Sequence, residues 1–278
     1  MANPSDVLSA DALWADIEAV RAHAPLVHNI TNYVVMNFSA NALLAAGASP
    51  VMAHAAEEVQ DMAELAQALV LNIGTLSPTW VDSMHQALAV AKRRTLPVVL
   101  DPVGAGATPY RTQTAQDLLA AGGVSVIRGN ASEIMACAQA ATRTRGVDST
   151  ATTEHARDAA YRLAQDTGAV VCVSGALDHI IDATGRHAQL RNGHPWMTRI
   201  TGMGCSASAL IGALCAVQGD VWRATTSAMA WAALAGERAT QGAQAQGLGV
   251  GSMATLWLDA LQQLERDALA KALQLHTT

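Results

Sequence analysis

The chain is poor in charge and in aromatic rings. Only 14% of its 278 residues are charged, and 4% are Phe, Trp or Tyr, with a single phenylalanine. Its formal net charge is −6, so it has no basic excess. A nucleic-acid binder or a protein held on an anionic membrane needs a basic face, and a base-stacking surface needs aromatics; the composition argues against both. Cysteine is scarce and scattered: Cys137, Cys172, Cys205 and Cys215 form no C-x-x-C pair. That excludes a zinc ribbon or disulfide framework and suits a reducing cytoplasm. The histidines show no H-E-x-x-H or other paired spacing, which disfavours a protein-held transition metal. No basic segment precedes an apolar run near Met1–Asp6, so no secretory signal is expected. The most apolar run, Ala207–Val217, is about half the length of a membrane span.

What the chain does have is apolar residues, at 51%, enough to fill a large core at this length. They fall into two textures. Short β-rich runs occur at Leu26–Ile30, Pro50–Ala53, Leu69–Ile73, Val98–Asp101, Val124–Ile127 and Ala169–Val173, with alanine-rich stretches of helical length between them. This alternation predicts an α/β fold with a mostly parallel central sheet and helices on both faces. Val98-Val99-Leu100 is apolar on both pleat faces, as a doubly covered strand requires. Ser77-Pro78 reads as a helix N-cap followed by proline, Gly47 as a C-cap, and Asn130-Ala131-Ser132-Glu133 as a capping box. Asp178–Ala183 and Arg186–Leu190 predict an antiparallel hairpin turning at Thr184-Gly185. The C-terminal third reads as helices at about 206–218, 221–241 and 251–272. The most loop-like stretch, Thr142–Thr152, is too short to separate domains, so a single domain over residues 1–278 is expected.

Several segments carry candidate chemistry. Thr201-Gly202-Met203-Gly204-Cys205 leads into an apolar helix. Its glycines allow a close backbone approach, and the helix start offers free N–H groups and a positive dipole end to an anion. A thiol there is expected to have a lowered pKa, so Cys205 can serve as base or polar anchor for a reacting hydroxyl. Leu100-Asp101-Pro102-Val103-Gly104-Ala105-Gly106 ends a strand in a carboxylate able to hold a hydrated Mg²⁺. Arg128 can meet phosphates, and Glu133 can hold a metal-bound water or simply cap its helix. His28–Val34 brings amides to a strand end, and Met52 can line an apolar pocket. Ser174 follows a further strand. Each segment lies where a strand ends or a helix begins. In a parallel sheet those positions share one edge, where ligands of open α/β folds bind. The convergence favours a nucleotide-using phosphotransferase. There is no G-x-x-x-x-G-K-[ST], which excludes a P-loop enzyme, and no dinucleotide fingerprint.

Taken together, His-Asn-Ile-Thr-Asn-Tyr-Val (28–34), Ser-Pro-Val-Met-Ala (49–53), Leu-Asp-Pro-Val-Gly-Ala-Gly-Ala (100–107), Arg-Gly-Asn-Ala-Ser-Glu-Ile (128–134) and Thr-Gly-Met-Gly-Cys (201–205) make the chain resemble the hydroxyethylthiazole kinases of the ribokinase-like superfamily, from about Pro25 to Leu261. The resemblance implies phosphorylation by ATP, with Mg²⁺, of the primary hydroxyl of 4-methyl-5-(2-hydroxyethyl)thiazole in the thiamine pathway. It implies that Met52 and Gly202 contact the thiazole alcohol and Asn32 orients it. Arg128 and Ser174 would contact ATP, and Asp101 and Glu133 would serve the Mg²⁺–phosphate end. Residues Gly202, Met203, Gly204 and Cys205 would form the anion hole, with Cys205 as the catalytic residue. It also implies a cytoplasmic homotrimer with sites at subunit contacts. Met203 departs from the family pattern, which usually has threonine there, and so removes a hydroxyl. Two other readings stay open on sequence alone: a related kinase of a pyrimidine alcohol or sugar, and a non-catalytic thiazole- or nucleotide-binding protein. A cysteine-nucleophile hydrolase would need a base beside Cys205, and no histidine lies in that segment.

Overall fold

The computed structural model describes residues 8–141 and 153–278, so the expected 142–152 loop lies outside the described residues. The elements run α1 (Ala10–His23), β1 (Leu26–Ile30), α2 (Met36–Ala46), β2 (Ser49–Val51), α3 (Val59–Leu65), β3 (Ala68–Asn72), α4 (Pro78–Arg94), β4 (Val98–Asp101), α5 (Pro109–Ala121), β5 (Val126–Asn130), α6 (Ala131–Ala141), α7 (Thr153–Thr167), β6 (Val170–Ser174), β7 (Asp178–Ile181), β8 (His187–Leu190), α8 (Met203–Val217), α9 (Val221–Ala245), α10 (Val250–Gln263), α11 (Arg266–Ala272) and β9 (Leu275–Thr277). A short 3₁₀ helix, Pro195–Arg199, precedes α8.

All nine strands form one sheet in the order β2-β1-β3-β4-β5-β6-β7-β8-β9. The first six are parallel and the last three antiparallel, as the alternation and the predicted hairpin imply. Strand side chains alternate between two cores. Val27, Val70, Val99, Val126 and Val170 face a core with α1, α2, α8, α9 and α10. Leu69, Leu71, Val98, Leu100 and Val171 face the other, with α3, α4, α6 and α7. Fully burying each such aliphatic side chain contributes about 1.5–3 kcal/mol, and the two-sided covering is why these strands read as unbroken apolar runs.

The caps follow their residues. Ser77 accepts from the Trp80 N–H at the start of α4, and Gly47 closes α2 in the left-handed region. Several expected boundaries move. The helix expected from 206 begins at Met203, because Gly202 adopts a left-handed φ of 92° and starts it earlier. The helix expected over 251–272 breaks into α10 and α11 at Leu264-Glu265, both in extended conformation. Strand β5 extends to Asn130, so Arg128 lies on a strand rather than beyond it. Strand β9, unforeseen, pairs with β8 and closes the sheet edge. Among the described residues no helix is long and apolar enough to cross a membrane.

Candidate active site

After β1 the chain moves to β2 on one side and then to β3 on the other, so the sheet order reverses between β1 and β3. Such a switch point opens a crevice at the strands' carboxyl ends. Asn32 follows β1 there. Asn72 ends β3, and the parallel register sets it directly against Asp101 at the end of β4. Helix α8 packs across β1, β3 and β4 and points its first turn at the same place. Cys205 and Ser208, three residues apart, share one face of that helix.

A chain of hydrogen bonds joins these side chains. Asn32 Nδ2 donates to Cys205 Sγ at 3.6 Å and to Asn72 Oδ1 at 2.8 Å. Asn72 Oδ1 also accepts the Gly74 N–H at 3.0 Å. Asn72 Nδ2 donates to Asp101 Oδ2 at 2.8 Å, and Ser208 Oγ donates to the same oxygen at 2.9 Å. Neither Asn72 nor Ser208 stands out in the sequence motifs.

The charges are set by burial. Asp101 is buried, which pushes its pKa up to about 6; Glu133 adds to the rise, while Arg128 and the bonds from Ser208 and Asn72 oppose it. Burial disfavours the charge on Arg128, but the fields of Asp101 above all and of Asp178 outweigh it and hold the guanidinium firmly protonated. Cys205 departs from expectation. Its pKa is raised to about 11 rather than lowered, first by burial and then by Asp101, despite help from Asn72, Arg128 and Asn32. Desolvation and a neighbouring anion outweigh the helix N-terminus, so at neutral pH Cys205 is a thiol and suits the polar-anchor role rather than that of a ready base.

Glu133 fulfils the capping box. Its Oε2 accepts the Asn130 N–H at 2.8 Å, and Asn130 Oδ1 accepts the Glu133 N–H at 3.0 Å. Its Oε1 accepts the Gly104 N–H at 2.9 Å, which ties the loop after Asp101 to the start of α6. Arg111, also unforeseen, braces the same loops by donating to the Ile73, Gly74 and Val103 carbonyls.

Beside this cluster lies a cavity of about 650 Å³ whose wall includes Arg128, Ser174, Asp178, Met197, Met203 and Gly204. Ser174 Oγ donates to the Gly129 carbonyl at 3.3 Å. Asp178, a further residue that no sequence motif marks, accepts the Gly175 N–H at 2.9 Å. Burial pushes its pKa up to about 6, against the pull of Gly175 and Arg128. The structure therefore brings Asn32, Asp101, Arg128, Glu133, Ser174 and the Gly202–Cys205 turn to one edge. Met52 stands one residue past β2, half-buried, outside the hydrogen-bonded cluster.

A parallel sheet with an antiparallel extension, carrying an anion-ready helix start beside a buried carboxylate, defines a ribokinase-like α/β protein. A solved ribokinase-like superfamily protein from Enterococcus faecalis has the same fold, with a TM-score of 0.58 at 14% identity over 94% of this chain and 92% of its own. A sequence model of the hydroxyethylthiazole kinase family matches residues 17–267. Curated hydroxyethylthiazole kinases from Leptothrix cholodnii and Syntrophus aciditrophicus are 61% and 52% identical; the first alignment covers 95% of both chains, the second 96% of this chain and 98% of the relative. The solved hydroxyethylthiazole kinase protein of Pyrococcus horikoshii OT3 superposes with a TM-score of 0.88 at 39% identity, over 96% of this chain and 99% of its own. The chain belongs to the hydroxyethylthiazole kinase family, and is therefore a phosphotransferase.

Proposed function

We propose that the chain transfers the γ-phosphoryl group of ATP to the primary hydroxyl of 4-methyl-5-(2-hydroxyethyl)thiazole, supplying thiazole phosphate for thiamine synthesis or salvage. The observation that carries this reading is the Asn32–Cys205 contact. It sets an amide and a thiol at the start of α8, two hydrogen bonds from Asp101 by way of Asn72 and beside a cavity walled by Arg128 and Ser174. In the reaction the alcohol oxygen bonds to the γ-phosphorus and gives up its proton to solvent water, and the bond to the bridging oxygen breaks with its electrons leaving on ADP. Phosphoryl transfer through a loose transition state is mostly positioning and charge stabilisation. Asn32 and the Cys205 thiol orient the hydroxyl, while Met52 and Gly202 contact the thiazole. Arg128 and Ser174 hold the nucleotide, and the N–H groups of the Gly202–Cys205 turn face the charge that develops on the transferring group.

Magnesium belongs to the same proposal. Asp101 and Glu133 supply only hard oxygen donors, and among the described residues no cluster of three or more His, Cys, Asp and Glu could cage a metal. That donor set fits Mg²⁺, which keeps most of its waters and takes phosphate oxygens. Asp101 would hold the ion. Glu133, whose oxygens already accept backbone N–H groups, would meet its waters. When bound, the ion would neutralise charge on the β- and γ-phosphates.

A homotrimer is supported by exposed Tyr33 and Val34, 66% and 64% accessible, immediately after Asn32, where a subunit contact would complete the alcohol site. One domain is supported by the single sheet that runs through both halves of the described chain. A cytoplasmic setting is supported by four free thiols. An ADP-release assay with the thiazole alcohol, with and without Mg²⁺, tests the reaction. Mg²⁺-dependent ADP formation that requires the alcohol is expected, and no release with the thiazole alcohol overturns the proposal.

A further inference from the structure

Asn72 does not line the cavity, yet it is the junction of the site. The direction of its amide is not arbitrary. A backbone N–H can only donate, so the Gly74 N–H at 3.0 Å identifies the facing Asn72 atom as the oxygen. The NH₂ end then points at Asp101 Oδ2, 2.8 Å away. The same oxygen requires that Asn32 present its NH₂ end to Asn72, and that NH₂ also lies 3.6 Å from Cys205 Sγ. One peptide N–H thus settles the orientation of two asparagines. Both ends of the series, the Cys205 sulfur and the Asp101 carboxylate, are acceptors, and the amides between them only donate or accept without passing a proton. With Asn32 donating to the sulfur, the thiol's own proton is free to point elsewhere.

Resting on the kinase reading above, we propose that Asn72 is a positioning residue with two separable roles. Its oxygen holds Asn32 in the orientation that aligns the alcohol. Its NH₂ group holds Asp101 at the phosphate end. Packing supports the hold on Asn32, because a β-carbon on Gly74 would lie 2.5 Å from Asn32 Nδ2. Asn32 therefore sits tightly against the residue whose N–H fixes Asn72.

Two variants separate these roles. Asn72→Asp keeps an oxygen toward Gly74 and Asn32 but replaces the neutral donor to Asp101 by a second carboxyl, so that the pair must share one proton or repel. Asn72→Ala loses both. Steady-state kinetics for each substrate, with melting temperatures, are read on the full-length protein. Asn72→Asp is expected to lower kcat by about tenfold to a hundredfold and to leave KM for the thiazole alcohol within about threefold of wild type. Asn72→Ala is expected to lower kcat and also raise that KM by about tenfold, as Asn32 is released. In both, KM for ATP stays within about threefold, because the walls around Arg128 and Ser174 are untouched. A residue that merely supports the fold would not split the two constants between the variants. An active wild type with unchanged constants in both variants, or with all constants worsening in step with melting temperature, overturns this proposal alone. An inactive wild type overturns the kinase reading and this proposal with it.

Discussion

Gly204 and Arg128 occupy complementary space: a β-carbon on Gly204 would lie 2.6 Å from Arg128 Nη1. The guanidinium fills the room left by the missing side chain and so lies against the first turn of α8, where it faces the cavity. Alanine suits a helix better than glycine, so Gly204→Ala leaves the helix intact and displaces the flexible arginine instead. The variant is expected to keep its melting temperature within a few degrees and to lose about tenfold to a hundredfold in kcat/KM, mainly through KM for ATP. Kinetics at varied ATP decide it; wild-type KM and kcat would contradict the packing argument.

The thiol of Cys205 stays protonated at neutral pH because burial and Asp101 raise its pKa to about 11. On the proposed function it accepts from Asn32 and presents a hydrogen to the alcohol. Cys205→Ser keeps both abilities and is expected to retain activity within about tenfold; Cys205→Val keeps neither and is expected to lose about a hundredfold. Equal losses in the two variants would point to chemistry that only sulfur performs.

Activity is expected to fall on the acid side with an apparent pKa near 6. Asp101 has its pKa raised to about 6, so it is a carboxylate above that pH and takes a proton below it, losing the charge that would hold the proposed Mg²⁺. The acid limb of kcat/KM between pH 5 and 8 measures this. Asp178, raised to a similar value, is separated by running Asp178→Asn, which should retain the limb. A limb near pH 4 in both proteins would show that Asp101 titrates unperturbed.

Asp178 also bears on stability. Its native pKa near 6 exceeds the ordinary 3.8, so the folded state holds that proton more tightly than the unfolded chain. Wild-type stability due to this group is therefore lost as pH rises from about 4 to about 6, and the penalty is complete above that window. The amide of Asp178→Asn can still accept the Gly175 N–H and carries no such penalty. The variant is expected to gain on the order of 3 kcal/mol over wild type at pH 8, with the gain vanishing below pH 4. Urea unfolding at both pH values tests it.

The sheet is legible in the sequence because its strands are covered on both faces and so keep unbroken apolar runs, as at Val98-Val99-Leu100. The parallel edge that gathers Asn32, Asp101, Arg128 and Ser174 follows from the same alternation. Asn72 is harder to see, because it reads as the polar tail of an apolar run. A signal is present all the same: a buried amide at the end of a core strand needs partners, and its cost without them marks it out. Ser208 is hidden in an apolar helix in the same way. The pKa of Cys205 runs opposite to expectation because sequence reveals a helix start but neither the depth of burial nor a carboxylate from a strand a hundred residues away. The break at Leu264-Glu265 carries neither proline nor glycine, so nothing local announces it.

Strand β9 ties the far end of the chain to the wall of the cavity. Asn192 borders the cavity, and its Oδ1 accepts the Gln274 N–H at 2.7 Å while its Nδ2 donates to the Ala272 carbonyl at 2.8 Å. Glu237 clasps the same corner through Asn192 and Gly193. Peeling the last strand from β8 would slacken this buckle, so damage at the rim of the sheet is transmitted to the cavity wall that the proposed function gives to ATP.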